Sequence, residues 1–286
     1  MTSTLKRPEK VLPNESLTVN WVTVAFFGVI HALALLAPWF FSWPALGVMI
    51  FFHWLLGSLG ICLGYHRLLT HRSLQVPKWL EYVLATLGAL ALQGGPVFWV
   101  AGHRQHHLHT EDPEKDPYAA SRGFWWSHML WLFYLRSQFF DSKNYRKFAP
   151  DLAKDPYYTW LDKNFLLLQI PFGLFLYLWG GWSFVIYGQV LRAVLLWHST
   201  WLINSATHMF GNRSFEVEDG SRNLVWTALV TYGEGWHNNH HAYPNVAPAG
   251  WKWWQIDITW WAIQTLESLG LAKRVVRPPA DALARL

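Results

Sequence analysis

The chain has 286 residues and a formal charge of +5, with 52% hydrophobic but only 14% charged residues. A soluble domain usually carries about 25% charged residues, and the 21 tryptophans are typical of a protein at a membrane interface. The composition excludes an ordinary soluble enzyme. The sequence has no Lys/Arg-rich run, so nucleic acid is not an expected partner. The single cysteine, Cys62, excludes an internal disulfide.

The first apolar run has no Asp, Glu, Lys or Arg from Val19 to Tyr65. That is about twice the ~20 residues that one spanning helix needs. Pro44 of "SWP" suits the first turn of a new helix. The run therefore predicts a hairpin of two transmembrane helices, at about 19–41 and 44–64.

The segment from Tyr82 to Gly102 is also free of charged residues. If it crossed the membrane, the histidines before and after it would lie on opposite sides, roughly 30 Å apart. "QGGP" at 93–96 interrupts it midway. We interpret it as a re-entrant or interfacial segment held against the other helices.

A later apolar run predicts a second hairpin. It starts at Phe165, and "WGGWS" divides it into helices at about 165–181 and 183–210. Basic residues gather outside the two hairpins, on the side that the positive-inside rule assigns to the cytoplasm.

These segments predict an all-α, multi-pass integral membrane protein with four transmembrane helices and cytoplasmic termini. The other residues, 65–164 and 211–286, are expected to form a helical cytosolic cap, and 1–286 to be a single domain.

Eight of the fourteen histidines fall into three short clusters, which we call boxes 1 to 3. The topology places every box on the cytoplasmic side, beside a membrane-embedded segment. The boxes are "HRLLTH" (His66, His71), "HRQHH" (His103, His106, His107) and "HNNHH" (His237, His240, His241).

The spacing within boxes 2 and 3 is i, i+3, i+4, which lies on one face of a helix. Imidazoles at i and i+4 can grip one metal, while the i+3 residue reaches a neighbouring one. In box 1, i and i+5 do not share a face of a regular helix, so either the helix ends or unwinds between His66 and His71 or the two serve different metals. Eight imidazoles exceed the four ligands of a structural zinc site. They predict a dimetal site, whose nitrogen-rich shell is compatible with iron, zinc, copper or nickel.

From about residue 45 to 265 the sequence resembles the membrane fatty acid desaturases of the Δ9 type, most closely the bacterial and cyanobacterial acyl-lipid enzymes. The motifs that carry the resemblance, in the family's order, are "GYHRLLTHRSL", "GHRQHHLHTEDPEKDPY", "NSATHMFG" and "YGEGWHNNHHAYP". The resemblance implies four spanning helices, a cytosolic cap and a non-haem di-iron centre that uses O2 as co-substrate. Zinc is compatible with the same nitrogen ligands and can substitute for iron in purified protein.

The resemblance also implies particular residues outside the boxes. His208 would be a ninth histidine ligand, and Asn204, one helical turn earlier, would reach the metal through water. Trp99, Thr200 and Trp201 match the wall of a bent tunnel that holds the acyl chain, so that a cis double bond forms between carbons 9 and 10.

Glu234, three residues before box 3, is expected either to hydrogen-bond a ligand imidazole or to cap a helix. The acidic residues of "EDPEKDPY" (111–118) are expected to be mostly solvated, while the resemblance implies that this loop is part of the cap.

One departure from the family concerns the acyl carrier. Acyl-CoA desaturases of animals have an Arg-Asp pair where this chain has Ala101 and Gly102. This favours a chain linked to a membrane lipid, stearoyl or palmitoyl, over acyl-CoA, unless Arg104 or Arg122 replaces the missing contacts. The sequence shows no haem, flavin or nicotinamide module, so we expect a separate electron donor of the ferredoxin or cytochrome b5 type, attracted by the basic chain.

Two alternatives stay open. A hydroxylase or ketolase on the same dimetal scaffold shares the boxes and differs only in its product. A metal transporter would need polar groups along the spanning helices, which the hairpins lack. Five histidines have no assigned role: His31, His53, His109, His128 and His198.

Overall fold

The computed structural model describes residues 17–285 and is mostly helical. The N-terminal residues with a predicted cytoplasmic position, 1–16, lie outside the described residues, as does Leu286. The helices are α1 (Trp21–Ala34), α2 (Trp43–Thr70), α3 (Lys78–Leu90), α4 (Pro96–His109), α5 (Phe124–His128), α6 (Ser137–Phe140), α7 (Ser142–Tyr145), α8 (Pro150–Ala153), α9 (Pro156–Asn164), α10 (Gln169–Val185), α11 (Arg192–Ser205), α12 (Val225–Val230), α13 (His237–Ala242), α14 (Ile258–Ser268) and α15 (Ala280–Leu283).

Short elements connect these helices. Strands β1 (Thr18–Val19) and β2 (Tyr134–Leu135) pair antiparallel and tie the start of α1 to the later part of the chain. A π-helical turn, Ile186–Leu191, joins α10 to α11. Single 3₁₀ turns span Ala37–Phe40, Ala120–Arg122, Leu130–Phe133, Arg146–Phe148 and Ala206–His208.

Helix α2 is capped by Ser42, whose hydroxyl accepts from the amide of Ala45 at 3.2 Å, and Pro44 lies in its first turn as predicted. It is α-helical to Trp54, is π-helical from Leu55 to Thr70, and continues beyond the predicted end at 64. Box 1 therefore belongs to the end of this helix.

The chain from Gln169 to His208 is helical but reverses direction at a glycine pair. Gly180 and Gly181 are not helical, and Gly181 has φ +66°, a conformation that glycine adopts at low cost. The side-chain amide of Gln189 donates to the carbonyl of Gln169 at 2.9 Å. In a straight helix residues this far apart would be separated by about 30 Å. The break lies at the predicted turn "WGGWS".

Among the described residues, two helical stretches are long and apolar enough to cross a membrane, Trp43–Thr70 and Gln169–His208. Helix α1 is apolar but has only 14 residues. It ends at Ala34, well before the predicted 41, because the 3₁₀ turn with Pro38 follows.

The predicted interruption at "QGGP" is confirmed, since α3 ends at Leu90 and α4 starts at Pro96. Helix α3 packs closely on α2. A Cβ at Gly60 would lie 2.6 Å from the backbone of Leu87, and one at Gly88 would overlap the ring of Tyr65. This packing sets α3 and α4 against the π-helical end of α2, which carries box 1.

Candidate metal centre

Box 1 is brought onto one face by the π-helical winding of α2. A π-helix bonds residue i to residue i+5, and the amide of His71 donates to the carbonyl of His66 at 3.1 Å. The two imidazole rings lie 4.8 Å apart. The structure thus resolves the two alternatives for box 1: the helix ends directly before His71, and both residues belong to one cluster.

Boxes 2 and 3 lie on α4 and α13. The short helix α13 is fixed by two buried asparagines of its own box. The side-chain carbonyl of Asn238 accepts from the amides of Ser214 and Phe215 at 2.7 and 2.8 Å. Asn239 accepts from the amide side chain of Asn223 at 2.8 Å. These bonds hold the connecting loop 209–224 against box 3.

Nine imidazoles converge in two clusters, and within each cluster one nitrogen from each ring lies within 4.8 Å of those of the other rings. In boxes 2 and 3, the i and i+4 residues enter one cluster and the i+3 residue enters the other, whereas both residues of box 1 enter the same cluster. His208 joins the second cluster. Cluster A contains His66, His71, His103, His107 and His240, and cluster B contains His106, His208, His237 and His241.

Carboxylates fix the outer nitrogens of several of these rings. The Nδ1 atom of His106 lies 2.9 Å from Asp116, and that of His241 lies 2.7 Å from Asp219. The Nδ1 atom of His66 lies 3.0 Å from Glu234. Such contacts orient an imidazole and set which nitrogen carries the proton.

Glu234 therefore lies at ion-pair distance from a histidine of box 1, but the facing oxygen, Oε2, has no hydrogen-bond partner in the described chain. Glu234 is not the N-cap of any described helix, and its hydrogen bond to a ligand imidazole stays a prediction. Burial raises its pKa, but Arg67 and His66 lower it more, to about 2. Arg67 is itself buried and also pairs with Asp257 at 2.9 Å. The ion pairs of Arg67 with Glu234 and Asp257 hold Glu234 beside His66 of cluster A.

The ring nitrogens that face the inside of each cluster indicate what kind of ligand the clusters can bind. Where Nδ1–H donates to a carboxylate, Nε2 carries a lone pair. The Nε2 atom of His240 lies 3.1 Å from that of His66 and 3.0 Å from that of His107. Within the described chain the buried Nε2 atoms of His106 and His241 have no hydrogen-bond partner. Converging lone pairs repel one another unless a cation lies between them, so the residues present fit metal ions.

The protonation state fits as well. Burial, with neighbouring imidazoles, holds the pKa of His103, His107 and His240 well below the ordinary value. Burial lowers the pKa of His241 to about 4, although Asp219 opposes the shift. These imidazoles are neutral near pH 7, which is the form that binds metals.

An apolar cavity of about 490 Å³ opens on both clusters, since His66 and His103 of cluster A and His237 of cluster B line it. Most of its lining is apolar. The three residues matched to a tunnel wall, Trp99, Thr200 and Trp201, also line the cavity. Asn204 and Gly102 line it as well. The Asn204 side chain makes no hydrogen bond within residues 17–285, so its contact with a metal through water stays a prediction.

Gln93 is a cavity residue that the sequence analysis used only as part of a helix break. Its amide nitrogen donates to Thr200 Oγ1 at 2.9 Å, and its carbonyl oxygen accepts from Trp99 Nε1 at 3.4 Å. Gln93 thereby joins α4 to α11 across the cavity. A polar residue between two apolar segments was the available signal.

The structure also shows the surroundings of Ala101 and Gly102, the two positions at which animal acyl-CoA desaturases have an Arg-Asp pair. Ala101 is buried, and a Cβ added at Gly102 would meet no atom within 4 Å. Arg104 is occupied by Asp151 at 2.7 Å and by the carbonyls of Leu69, Thr70 and Phe148. The Arg122 guanidinium lies 3.7 Å from the ring centre of Trp126.

The expectation that "EDPEKDPY" is mostly solvated was wrong for its two residues at the site. Asp116 is fully buried, and Glu111 lies 3.4 Å from Nδ1 of His208. Asp116 also accepts from the amides of Glu111 and Tyr118. The loop folds over α4, so these carboxylates reach imidazoles from outside the clusters.

Three of the unassigned histidines form a separate chain. His31 Nε2 lies 3.2 Å from His198 Nε2, and His198 Nδ1 lies 2.9 Å from His128 Nε2. At one end, Nδ1 of His31 lies 2.7 Å from the carbonyl oxygen of Phe27. At the other end, Nδ1 of His128 lies 3.0 Å from the hydroxyl of Ser205. We call these three residues the linear histidine chain.

His53 and His109 lie apart from both arrays. The Nδ1 atom of His53 lies 2.5 Å from the hydroxyl of Tyr232. His109 is half-buried at the end of α4 and belongs to neither cluster.

The fold and the site define a helical protein with apolar, membrane-length helices and two adjoining imidazole clusters that open on an apolar cavity. The fatty acid desaturase family model matches residues 37–272, and the chain belongs to that family. It is therefore an oxidoreductase of fatty acyl chains.

Three similar proteins carry names that specify a substrate. The chain is 67% identical over 261 residues to the sn-2 palmitoyl-lipid 9-desaturase of Nostoc sp. (strain 36), covering 91% of this chain and 92% of that protein. It is 50% identical to the sn-1 stearoyl-lipid 9-desaturase of Anabaena variabilis, covering 90% and 94%. It is 47% identical to the sn-1 stearoyl-lipid 9-desaturase of Synechocystis sp. (strain ATCC 27184 / PCC 6803 / Kazusa), covering 96% and 86%.

Proposed function

We propose that the protein introduces a cis double bond at the Δ9 position of a saturated acyl chain that is esterified to a membrane glycerolipid. The observation that carries the proposal is the apolar cavity that ends on ligands of both imidazole clusters. The three relatives share the lipid carrier and position 9 in their names. They differ in chain and glycerol position, and the 67% identity favours palmitoyl at sn-2.

We propose two iron ions as the metals, held by clusters A and B, with zinc compatible with the same nitrogen ligands. When bound, iron supplies the reductive activation of O2 that removal of hydrogen from an alkyl chain requires. Asn204 lines the cavity beside the clusters, four residues before His208, and is proposed to contact cluster B through water.

The residues of this chain position the substrate and keep the site dry. Trp99, Thr200 and Trp201 form the wall at which the acyl chain passes the clusters, and Gln93 fixes two of them. The carboxylates Asp116, Asp219 and Glu234 hold imidazoles in one orientation. We propose that this rigid wall selects carbons 9 and 10.

The carrier follows from what surrounds Gly102. Phosphate groups of CoA need charged donors, and Arg104 is already bound to Asp151 and three backbone carbonyls. A glycerolipid needs no such donors, because the bilayer concentrates it beside the cavity.

We propose that the chain crosses the membrane four times, with one of the last two crossings on each side of Gly180–Gly181. The clusters then lie on the cytoplasmic side. The turn between the last two crossings, at Gly180–Gly181, is supported by the Gln189–Gln169 hydrogen bond. A separate protein of the ferredoxin or cytochrome b5 type is proposed as the electron donor.

Expression in a host without Δ9-unsaturated fatty acids tests this function. We expect cis-Δ9 chains in the fatty-acid profile, with the double bond located by mass spectrometry. A pulse of labelled palmitoyl and stearoyl groups should give product first in intact membrane lipids. Early oleoyl-CoA with lagging lipids would contradict the carrier, and hydroxy or keto products would favour the hydroxylase or ketolase.

A further inference from the structure

A second apolar groove of about 320 Å³ lies beside the main cavity. Three residues line both spaces, so the groove and the cavity share a rim: Phe26, Leu92 and Leu166. The other groove residues come from α1, from the start of α10 and from the π-helical turn and α11: Ile30, Gln169, Gln189, Val190 and Ala193.

One face of α1 connects the two spaces. Val22 lines the main cavity, Phe26 lines both, and Ile30 lines the groove. Residues four apart lie on the same face of a helix, at a rise of about 6 Å per step. The cavity therefore opens near the start of α1, and the groove follows from it along the same helix.

Most of the groove lining suits hydrocarbon, and one buried polar atom of a lining residue, Oε1 of Gln169, has no hydrogen-bond partner in the described chain. Six of its eight lining residues are apolar. Gln189 donates its amide to the carbonyl of Gln169 at 2.9 Å, and Gln169 donates to the carbonyl of Phe165 at 3.4 Å. The amide donors of both glutamines are thus turned to backbone carbonyls.

We propose that this groove holds the second acyl chain of a diacyl glycerolipid while the first chain occupies the cavity. The inference rests on the proposed lipid-linked function. A glycerolipid carries two chains on neighbouring carbons of one glycerol, which matches two apolar clefts that share a rim. A thioester has one chain and would leave the groove without an occupant.

The groove gives selection rather than general affinity. The second chain is already in hydrocarbon, so packing supplies the gain and the hydrophobic effect supplies almost none. Because glycerol is chiral, seating one chain in the groove determines whether the sn-1 or the sn-2 chain enters the cavity.

The experiment compares Ile30→Phe and Val190→Phe, which narrow the groove from two sides, with Val29→Phe. Val29 is the neighbour of Ile30 on α1, is 57% exposed and lines neither space. Purified full-length protein, loaded with iron and supplied with a reducing system, is assayed on a labelled diacyl glycerolipid. A second assay uses the monoacyl lipid with the same head and the same saturated chain.

We expect both groove variants to lose on the order of fivefold more activity on the diacyl lipid than on the monoacyl lipid, a loss typical of packing in hydrocarbon. The sn-1 to sn-2 product ratio should also move toward equality. Val29→Phe should retain the wild-type preference and ratio.

Equal losses on both lipids with an unchanged product ratio would overturn the inference, because a general folding defect has that signature. Full activity of both groove variants on both lipids would overturn it too. Wild-type protein that desaturates only a thioester would instead refute the lipid carrier, and this outcome is seen before any variant is made.

Discussion

Two arrays of histidines in this protein differ in how their nitrogens are used. In the linear histidine chain, every ring nitrogen of His31, His128 and His198 has a hydrogen-bond partner. In clusters A and B, carboxylates take outer nitrogens, while inner nitrogens face one another or have no partner in the described chain. A satisfied imidazole supports the fold, and a convergent, unsatisfied one indicates a ligand.

The largest effect is expected when a cluster residue is removed. His240→Ala deletes a ligand of cluster A, and His106→Ala deletes one of cluster B. We expect either variant to lose all measurable desaturation while still inserting into membranes, because both residues lie outside the apolar helices. Product analysis and metal content of membrane-extracted protein provide the measurements. Full activity of either variant would remove that residue from the site.

A smaller effect is expected for an outer carboxylate. Asp219→Asn should lower metal affinity roughly 10- to 100-fold, because the carboxylate no longer orients His241. Metal titration of the purified variant measures this. Asp151→Asn is the matched control, since within the described chain Asp151 pairs with Arg104 and Arg72 and with no histidine. Equal losses in both variants would contradict an orienting role.

Breaking the linear chain should affect stability rather than metal binding. His198→Ala leaves nitrogens of His31 and His128 without their partner. An unsatisfied buried group costs about 1–3 kcal/mol, and because His128 is buried while His31 is only half-buried, we expect a loss toward the lower end of that range. We expect a lower unfolding temperature with the metal content unchanged. Loss of metal from this variant would show that the two arrays are coupled.

The smallest effect is expected for His109→Ala. His109 follows box 2 on α4 but belongs to neither cluster. A half-buried residue away from such features usually changes stability by no more than about 0.5 kcal/mol. Activity should remain within about twofold of wild type in the same assay. A variant as inactive as His106→Ala would invalidate the grouping by spacing.

Spacing was sufficient to predict the grouping of boxes 2 and 3, because helix geometry is local. The turn at Gly180–Gly181 was predictable for the same reason. The carboxylates Asp116 and Asp219 were not, since their contacts depend on loops that return from other parts of the chain. The π-helical end of α2 was also missed, because the i, i+5 spacing of His66 and His71 was read against a regular α-helix.

The central claim is that nine imidazoles form a two-metal centre. The direct measurement is the metal content per folded chain of purified full-length protein after reconstitution with iron, by mass spectrometry, with His240→Ala in parallel. We predict two metal ions per wild-type chain and fewer than two in the variant. One ion per fully loaded, folded wild-type chain, or two ions retained by His240→Ala, would contradict it.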